Sequence, residues 1–249
     1  MITAQRVIKA AGKHASRALL AVRAVVSASR PFHCPACGGQ ITGFFRYGSV
    51  AQWGCPRCKA SPRERLLNHL IDAGALAVPE GGAILHMAPN EASLVERFGE
   101  AAAKYVPADI DPSRYRVEGV QKVDLMEMDD RDVYDLFYAS HVMEHVPDDA
   151  WVLRNIFDAL KPGGEAWLLV PLWDEPTEEG TPGMKPRERE KRFGQWDHVR
   201  QYGPDFADRI RAAGFEVDVL RAEDCEAGEV DRLALGDMVF RARKPADAG

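Results

Sequence analysis

The feature that most restricts the fold is an alternation running through the last two thirds of the chain. Short apolar runs of strand length occupy residues 83–87, 105–110, 120–125, 134–140, 165–170 and 215–220, and amphipathic helical text lies between them at 91–103, 148–160 and 204–213. Short runs that are apolar throughout are buried on both faces, and parallel strands need helical crossovers between them. The pattern therefore predicts an α/β fold, a doubly wound and mostly parallel sheet covered on both sides. A seventh run, 233–243, is predicted as an added edge strand. Residues 173–203 are polar, rich in proline and charge, and too long for a neutral connector, so they are expected to be a functional insertion. Inside it, the alternating Arg, Glu and Lys of 187–192 predict a surface helix with internal charge pairs.

Ahead of that body lie four cysteines in two C-x-x-C pairs, Cys34 with Cys37 and Cys55 with Cys58, separated by 17 residues. Each C-x-x-C turn aims two sulfurs at one point, so the four can converge tetrahedrally on Zn(II). Pro35 and Pro56 pre-set the two turns. Cysteine fills all four positions and leaves none for water, which predicts a structural zinc ribbon, with His33 a bystander. Disulfides are the rival use of paired cysteines. No cleavable secretory leader with a continuous apolar core is evident, so a reducing cytoplasm is the expected compartment. Cys225 sits among carboxylates, which raise a thiol's pKa, and is expected to be a plain thiol.

Charge divides the chain sharply. Residues 1–69 hold 11 Lys and Arg and one acid, Glu64, a balance of +10, while the whole chain of 249 residues carries -6. Any contact with a polyanion is expected through this first quarter, because the acidic remainder repels one. Residues 2–30 contain six of those bases, no acid and no proline, with Ile8, Ala11, Ala15, Leu19, Val22 and Val26 at helical spacing. They predict one amphipathic helix, fit either for a membrane surface or acidic partner or for packing on its own protein. An Arg-rich, acid-free, Ser-containing start is also the composition of an organelle transit peptide. A second helix is predicted from Pro62, stopping at Gly74. The expected organisation is a basic helix (1–30), a zinc ribbon (31–61), a linker helix (62–79) and a catalytic domain (80–249) with the insertion 173–203. No apolar run approaches the roughly 18 residues a membrane-spanning helix needs.

The segment 135–148, Asp-Leu-Phe-Tyr-Ala-Ser-His-Val-Met-Glu-His-Val-Pro-Asp, followed by Lys161-Pro-Gly-Gly164 and an apolar strand, resembles class I S-adenosylmethionine-dependent methyltransferases. The resemblance covers residues 80–245. The zinc ribbon, the Ala83-Ile-Leu-His-Met-Ala-Pro89 start and the 193–203 segment, Phe-Gly-Gln-Trp-Asp-His-Val-Arg-Gln-Tyr-Gly, are similar to a bacterial, methyltransferase type 11-like subgroup. It implies that Met87, Ala88 and Pro89 form the first cofactor loop, that Asp109 holds the ribose with Asp111 as fallback, that Asp124 and Leu125 lie near adenine, and that Ser140 and His141 lie beside the methionine moiety. Ligands of an open parallel sheet do sit beyond the carboxyl ends of its strands. The family's first loop is glycine-rich, whereas here residues 86–91 contain no glycine. Small Ala88 still permits close approach. Glu91 fits two explanations, contact with the cofactor's cationic amino-acid end or the first-turn preference of acids.

Methyl transfer from a sulfonium needs positioning above all, and a general base where the acceptor must lose a proton. His198, His141 and His145 are the candidate bases, with Asp197 to orient or assist, and His198 is favoured. Trp196, Arg200 and Tyr202 are candidate substrate residues. The expected function is methylation of a small-molecule or glycan-type acceptor. The alternatives are RNA methylation using the basic N-terminus and a non-catalytic adaptor in which the zinc ribbon docks a partner. Peripheral membrane contact through residues 2–30 is a further expected partner interaction.

Overall fold

The computed structural model describes residues 4–246; the predicted first helix begins, and the predicted catalytic domain ends, at residues outside that span, and the side chain of Ile8 is outside it too. The N-terminal part contains helix α1 (Ala4–Val26), strands β1 (Phe32–Cys34) and β2 (Gly39–Ile41), hairpin strands β3 (Phe45–Tyr47) and β4 (Val50–Gly54), and helix α2 (Pro62–Asp72). There follow β5 (Ala83–Met87), α3 (Ala92–Ala101), β6 (Lys104–Asp109), β7 (Gln121–Lys122), β8 (Tyr134–Ser140), α4 (Asp149–Ala159) and β9 (Leu160–Leu169). The last elements are β10 (Glu178–Glu179), α5 (Pro186–Phe193), β11 (Arg200–Gln201), α6 (Phe206–Ala212), β12 (Glu216–Arg221), α7 (Ala227–Leu233) and β13 (Met238–Arg243).

Two compact units emerge. One gathers the residues up to Ala77 with Glu91–Glu96 and Arg221–Met238; the other holds Val78–Asn90, Arg97–Leu220 and the residues from Val239 onward. The first is built on β1–β2 and β3–β4, two antiparallel pairs that carry the cysteine turns. Its α2 starts as the text predicts: Ser61 caps it by accepting from the Glu64 N–H at 3.3 Å, Pro62 takes the first turn, and Gly74 follows the end in left-handed conformation. Helix α1 lies on the β3–β4 hairpin by its basic side. Lys13 sits 5.6–5.7 Å over the rings of Phe45, Tyr47 and Trp53, Arg17 lies over Phe45, and Leu20 is buried. Leu19, Val22 and Val26, predicted for the apolar face, are exposed.

The large sheet has seven strands in the order β12-β13-β9-β8-β5-β6-β7. Parallel pairing joins β9, β8, β5, β6 and β7, and β13 runs antiparallel to β9, so the doubly wound, mostly parallel α/β fold is present. The run read as an edge strand from Leu233 is different: Leu233 ends α7, Ala234 and Asp237 interrupt the run at positive φ, and the strand from Met238 lies inside the sheet, between β9 and β12. Its Val239, Phe240 and Ala242 are fully buried, while β12 is half-exposed and takes the edge. The predicted extended run 120–125 shrinks to Gln121–Lys122. Gly164 is demanded by close backbone approach. A Cβ there would lie 2.9–3.2 Å from the carbonyls of Lys161, Tyr134 and Asp135, so the Lys-Pro-Gly-Gly turn can bulge into the β8–β9 pairing. No helix among the described residues is long and apolar enough to cross a membrane.

His86 lies in the middle of the sheet, fully buried on β5 among Phe98, Tyr105 and Tyr138. Its Nδ1 meets the Tyr105 hydroxyl at 2.9 Å. Burial drives its pKa from 6.5 down to about 3, so the folded chain keeps this ring neutral where the unfolded chain protonates it. The stability it contributes is full above pH 6.5 and is lost as pH falls from 6.5 towards 3, at up to about 1.4 kcal/mol per pH unit. Chemical denaturation across that window is expected to show this loss, and His86→Phe to flatten it; an equally steep profile in the variant would assign the loss to other groups.

Candidate active site

The carboxyl ends of β5, β6 and β8 gather the residues that the sequence singles out. Where β5 ends, Ala88 takes φ +52, the left-handed conformation that an L side chain adopts at a cost of roughly 1–2 kcal/mol. Its N–H still donates to the Ala108 carbonyl at 2.8 Å, and its own carbonyl accepts from Asn90 at 2.7 Å, so both hydrogen bonds fix the loop in the place of glycine. Met87 and Ala88 are buried. Glu91 belongs to the other unit, where its buried carboxylate lies 3.5 Å from Arg63 and its pKa is raised by burial.

At the end of β6, Asp109 is buried and both carboxylate oxygens are engaged. Oδ1 accepts from the Asp111 N–H at 2.8 Å and Oδ2 accepts from the Tyr115 hydroxyl at 2.6 Å. Burial, and then the Asp109 carboxylate, raise the Tyr115 pKa, so the phenol stays a donor. Tyr115 is a supporting residue that the sequence reading missed, because nothing in the text 110–116 marks it as a partner of Asp109. Asp111 instead turns outward and accepts from the Ser113 N–H and hydroxyl. In the next loop Asp124 accepts from the Met126 N–H at 2.9 Å. The carbonyls of Leu125 and Met126 accept from the side chains of Asn155 and Trp151 on α4.

At the end of β8, Ser140 is buried and His141 takes φ +57, its N–H donating to the Leu169 carbonyl at 2.8 Å. His141 Nδ1 lies 3.2 Å from Glu144, whose side chain is fully buried. His198 Nδ1 lies 2.8 Å from the Phe193 carbonyl, which can only accept, so that nitrogen carries the proton and Nε2 the lone pair. Nε2 faces Glu144 at 4.0 Å, and burial lowers the ring's pKa. The His145 ring stands edge-on to that of His198 at 4.8 Å, and its Nδ1 lies 3.6 Å from Asp197.

The insertion contains α5 and the β10–β11 pair, and the helix predicted for 187–192 spans Pro186–Phe193, with Arg192 near both Glu188 and Glu178. Two of its three candidate substrate residues, Arg200 and Tyr202, are buried. The Arg200 guanidinium donates to the carbonyls of Met143, Val146 and Pro147 at 2.6–3.1 Å and pairs with Glu179. The Tyr202 hydroxyl donates to Met143 and Asp149. Both side chains thus hold the turn that carries Glu144 and His145. The third, Trp196, is exposed.

In the N-terminal unit the four cysteine sulfurs lie within 4.8 Å of one another, with Cys34–Cys58 at 3.7 Å and Cys37–Cys55 at 3.9 Å. A tetrahedron with Zn–S bonds of about 2.3 Å has edges of about 3.8 Å, so the set fits zinc and could hold it. Crowding of the sulfurs against one another raises the Cys34 thiol and lowers that of Cys55, and a dication would displace the protons they share. Fully buried Arg65 donates to the carbonyls of Gln52, Trp53, Ala60, Leu233 and Ala234 and lies 4.0 Å over Phe44. It fastens the α7 end to the ribbon and places a cation beside the thiolates. Its role was invisible in the sequence, since an Arg in the first turn of a helix reads as solvent-facing.

A family model for the methyltransferase domain matches residues 63–219. The chain belongs to that family. It is an S-adenosylmethionine-dependent methyltransferase with a four-cysteine group near its N-terminus. No curated protein matches its sequence. Among solved structures, a chain of the complex between the Haloferax volcanii Trm112 methyltransferase activator and a methyltransferase is 14% identical, with a TM-score of 0.50 over 71% of this chain and 92% of that one. The [4+2]-cyclase SpnF is 16% identical, with a TM-score of 0.50 over 98% and 96%. The Burkholderia thailandensis 1,6-didemethyltoxoflavin-N1-methyltransferase is 19% identical, with a TM-score of 0.49 over 72% and 76%.

The strain at Ala88 is testable in this methyltransferase. Ala88→Gly relieves the left-handed penalty and gives back part of it as unfolded-chain entropy, so a net gain of about 0.5 kcal/mol is expected. Denaturant midpoints measure it; a clear loss would mean that the Ala88 methyl contributes more through packing than it costs in strain.

Proposed function

We propose that this methyltransferase transfers the methyl group to a small-molecule or glycan-type acceptor, with the cofactor held across the ends of β5, β6 and β8. The observation that carries the reading is Asp109: a buried carboxylate at a strand end, aimed by Tyr115 and a backbone N–H, suits the two hydroxyls of a ribose. Met87, Ala88 and Pro89 would line the loop beside it, and Asp124 with Leu125 the adenine end. Ser140 and His141 would meet the methionine moiety. When bound, the cofactor supplies an activated methyl on sulfur.

The chain's own task is then to bring an acceptor into line and exclude water. The insertion 173–203 suits that cover, with Trp196 on its surface and the 195–198 turn facing the β8 loop. His198 is the favoured base, because its Nδ1 is tied to a carbonyl and its neutral Nε2 is the nitrogen left to take a proton. The acidic body favours a compact acceptor over a long polyanion. The basic first quarter, with Lys13 and Arg17 already lying over aromatic rings of the hairpin, is the route by which RNA or an anionic membrane surface would be met instead.

Calorimetry of the zinc-loaded chain with S-adenosylmethionine and with its demethylated product tests the reading. Binding is expected, and Asp109→Ala should weaken it at least about tenfold, the loss of a charge-assisted contact to each hydroxyl, with the fold intact. Failure of the folded chain to bind at millimolar cofactor would favour the adaptor alternative. The ribbon's zinc is proposed to be structural. A strong chelator should then remove the ribbon's zinc and unfold the ribbon, read as lost protection of the amides of 31–61 in hydrogen exchange. Retained protection after metal loss would refute a structural role.

A further inference from the structure

Glu144 presents an unusual charge problem. Its side chain is fully buried, and neither carboxylate oxygen accepts a hydrogen bond from any described residue. A carboxylate withdrawn from water without donors is costly unless a cation stands next to it. What surrounds it is imidazole. His141 Nδ1 is 3.2 Å away and His198 Nε2 is 4.0 Å away, and His145 stands edge-on to His198. One carboxylate oxygen of Glu144 and one ring nitrogen from each of His145 and His198 lie within 4.8 Å of one another.

We infer that Glu144, His145 and His198 bind a divalent first-row transition metal ion through one carboxylate and two imidazoles. Three further features fit this assignment. Metal-bound histidines hold their second nitrogen on a carbonyl or carboxylate, which fixes the tautomer and aims the ring. His198 does this with the Phe193 carbonyl at 2.8 Å, and Asp197 stands 3.6 Å from His145 Nδ1. The supporting turn is rigid. Arg200 and Tyr202 grip the carbonyls of Met143, Val146 and Pro147, and the Val199 N–H donates to the Glu144 carbonyl at 2.9 Å, so the two ligand-bearing segments are tied together on both sides of the site. Finally, imidazole nitrogens with one carboxylate select zinc, cobalt, iron or nickel rather than magnesium or calcium, which prefer oxygen cages.

Bonds of about 2.0–2.2 Å in a tetrahedral arrangement put donors about 3.4 Å apart, so atoms that now lie within 4.8 Å of one another close by up to about 1.4 Å through side-chain rotation when the ion binds. Three protein ligands leave at least one position open, unlike the four-cysteine set. An oxygen-bearing acceptor could occupy it and give up its hydroxyl proton there to His141, the imidazole of the cluster that is not a ligand, since Nε2 of His198 is then bound to the metal and is no longer the free base; only that last step rests on the methyltransferase reading. The metal itself does not, so a failed methyl-transfer assay and a failed metal titration would say different things.

The test is a Co(II) titration of the full chain stripped of metal, followed by absorption spectroscopy. Cobalt on thiolates gives sulfur-to-metal charge-transfer bands, whereas cobalt on imidazole and carboxylate gives only weak visible bands. The expected result is two equivalents bound, of which only one brings charge transfer. His198→Ala and His145→Ala should weaken the second equivalent at least about tenfold and leave the thiolate spectrum unchanged. Glu144→Gln should do the same if it folds, and the two histidine variants carry the test if it does not. Binding of a single equivalent by the wild-type chain would overturn the inference. A second equivalent held undiminished by both histidine variants would overturn it as well.

Discussion

The two central strands of the sheet, β5 and β8, leave it through residues in left-handed conformation, and neither residue is glycine. Ala88 and His141 adopt φ +52 and +57, and each keeps its N–H on the carbonyl of the neighbouring strand, Ala108 and Leu169, at 2.8 Å. A left-handed step turns the chain abruptly away from the strand axis. It also puts loop backbone, not side chain, at the point where a ligand must approach. Such steps cost about 1–3 kcal/mol apiece and last only where the surroundings dictate them. Here the adjacent strands do so, through hydrogen bonds that extend the parallel ladder one residue beyond each strand. Everything proposed for the cofactor lies downstream of these two turns. Asp109 ends the neighbouring strand β6, and Ser140 ends β8 one residue before His141.

A second constraint is the set of charges withdrawn from water. Arg65, Glu144 and Arg200 are almost fully buried, and two are satisfied in the same way, by carbonyl oxygens. Guanidinium suits that task because its donors radiate in a plane, so one side chain can tie several stretches of backbone at once, and Arg200 pairs with Glu179 as well. Arg65 does this for the cysteine module and Arg200 for the 143–147 turn. Glu144 has no such network. The contrast gives the buried carboxylate its meaning: where the chain needs a fastener it uses arginine on carbonyls, and where it leaves a charge unmet it has surrounded that charge with imidazoles.

The sheet was legible because its signal is a period. Apolar runs on β5, β8 and β9 are buried on both faces, and that property is written in each residue independently of its partners. The cysteine module was legible for a similar reason, since C-x-x-C spacing is local geometry. What escaped depended on residues far apart. Phe240 and Val239 are as apolar as any central strand, but only their pairing with Leu168 and its neighbours reveals that β13 lies inside the sheet rather than at its edge. Leu233, the last residue of α7, was absorbed into that run because Leu233, Ala234 and Leu235 are continuous in hydropathy. In α1 the apolar stripe faces outward, because the hairpin offers aromatic rings on which Lys13 and Arg17 can lie while their charges stay hydrated. Arg200 and Tyr202 read as ligand-binding residues for a sound reason, their place in an aromatic, charged insertion. Burial redirected them to holding the turn that presents Glu144 and His145.

The fold alone does not fix the chemistry. A methyltransferase complex and a [4+2]-cyclase resemble this chain equally well in backbone, at 14% and 16% identity, so the architecture is a scaffold on which different reactions are mounted. What distinguishes this chain must therefore lie in side chains at the strand ends. The pairing of Asp109 with Tyr115 is one such feature. The cluster formed by Glu144 and His145, on the loop after β8, with His198 from the insertion is another. A base acting alone there would need only one neutral imidazole. A buried carboxylate beside it that accepts no hydrogen bond from a described residue adds nothing to that task, since burial already lowers the pKa of the His198 ring. A metal ion would give both groups a use as its ligands, with the acceptor's proton passing to His141.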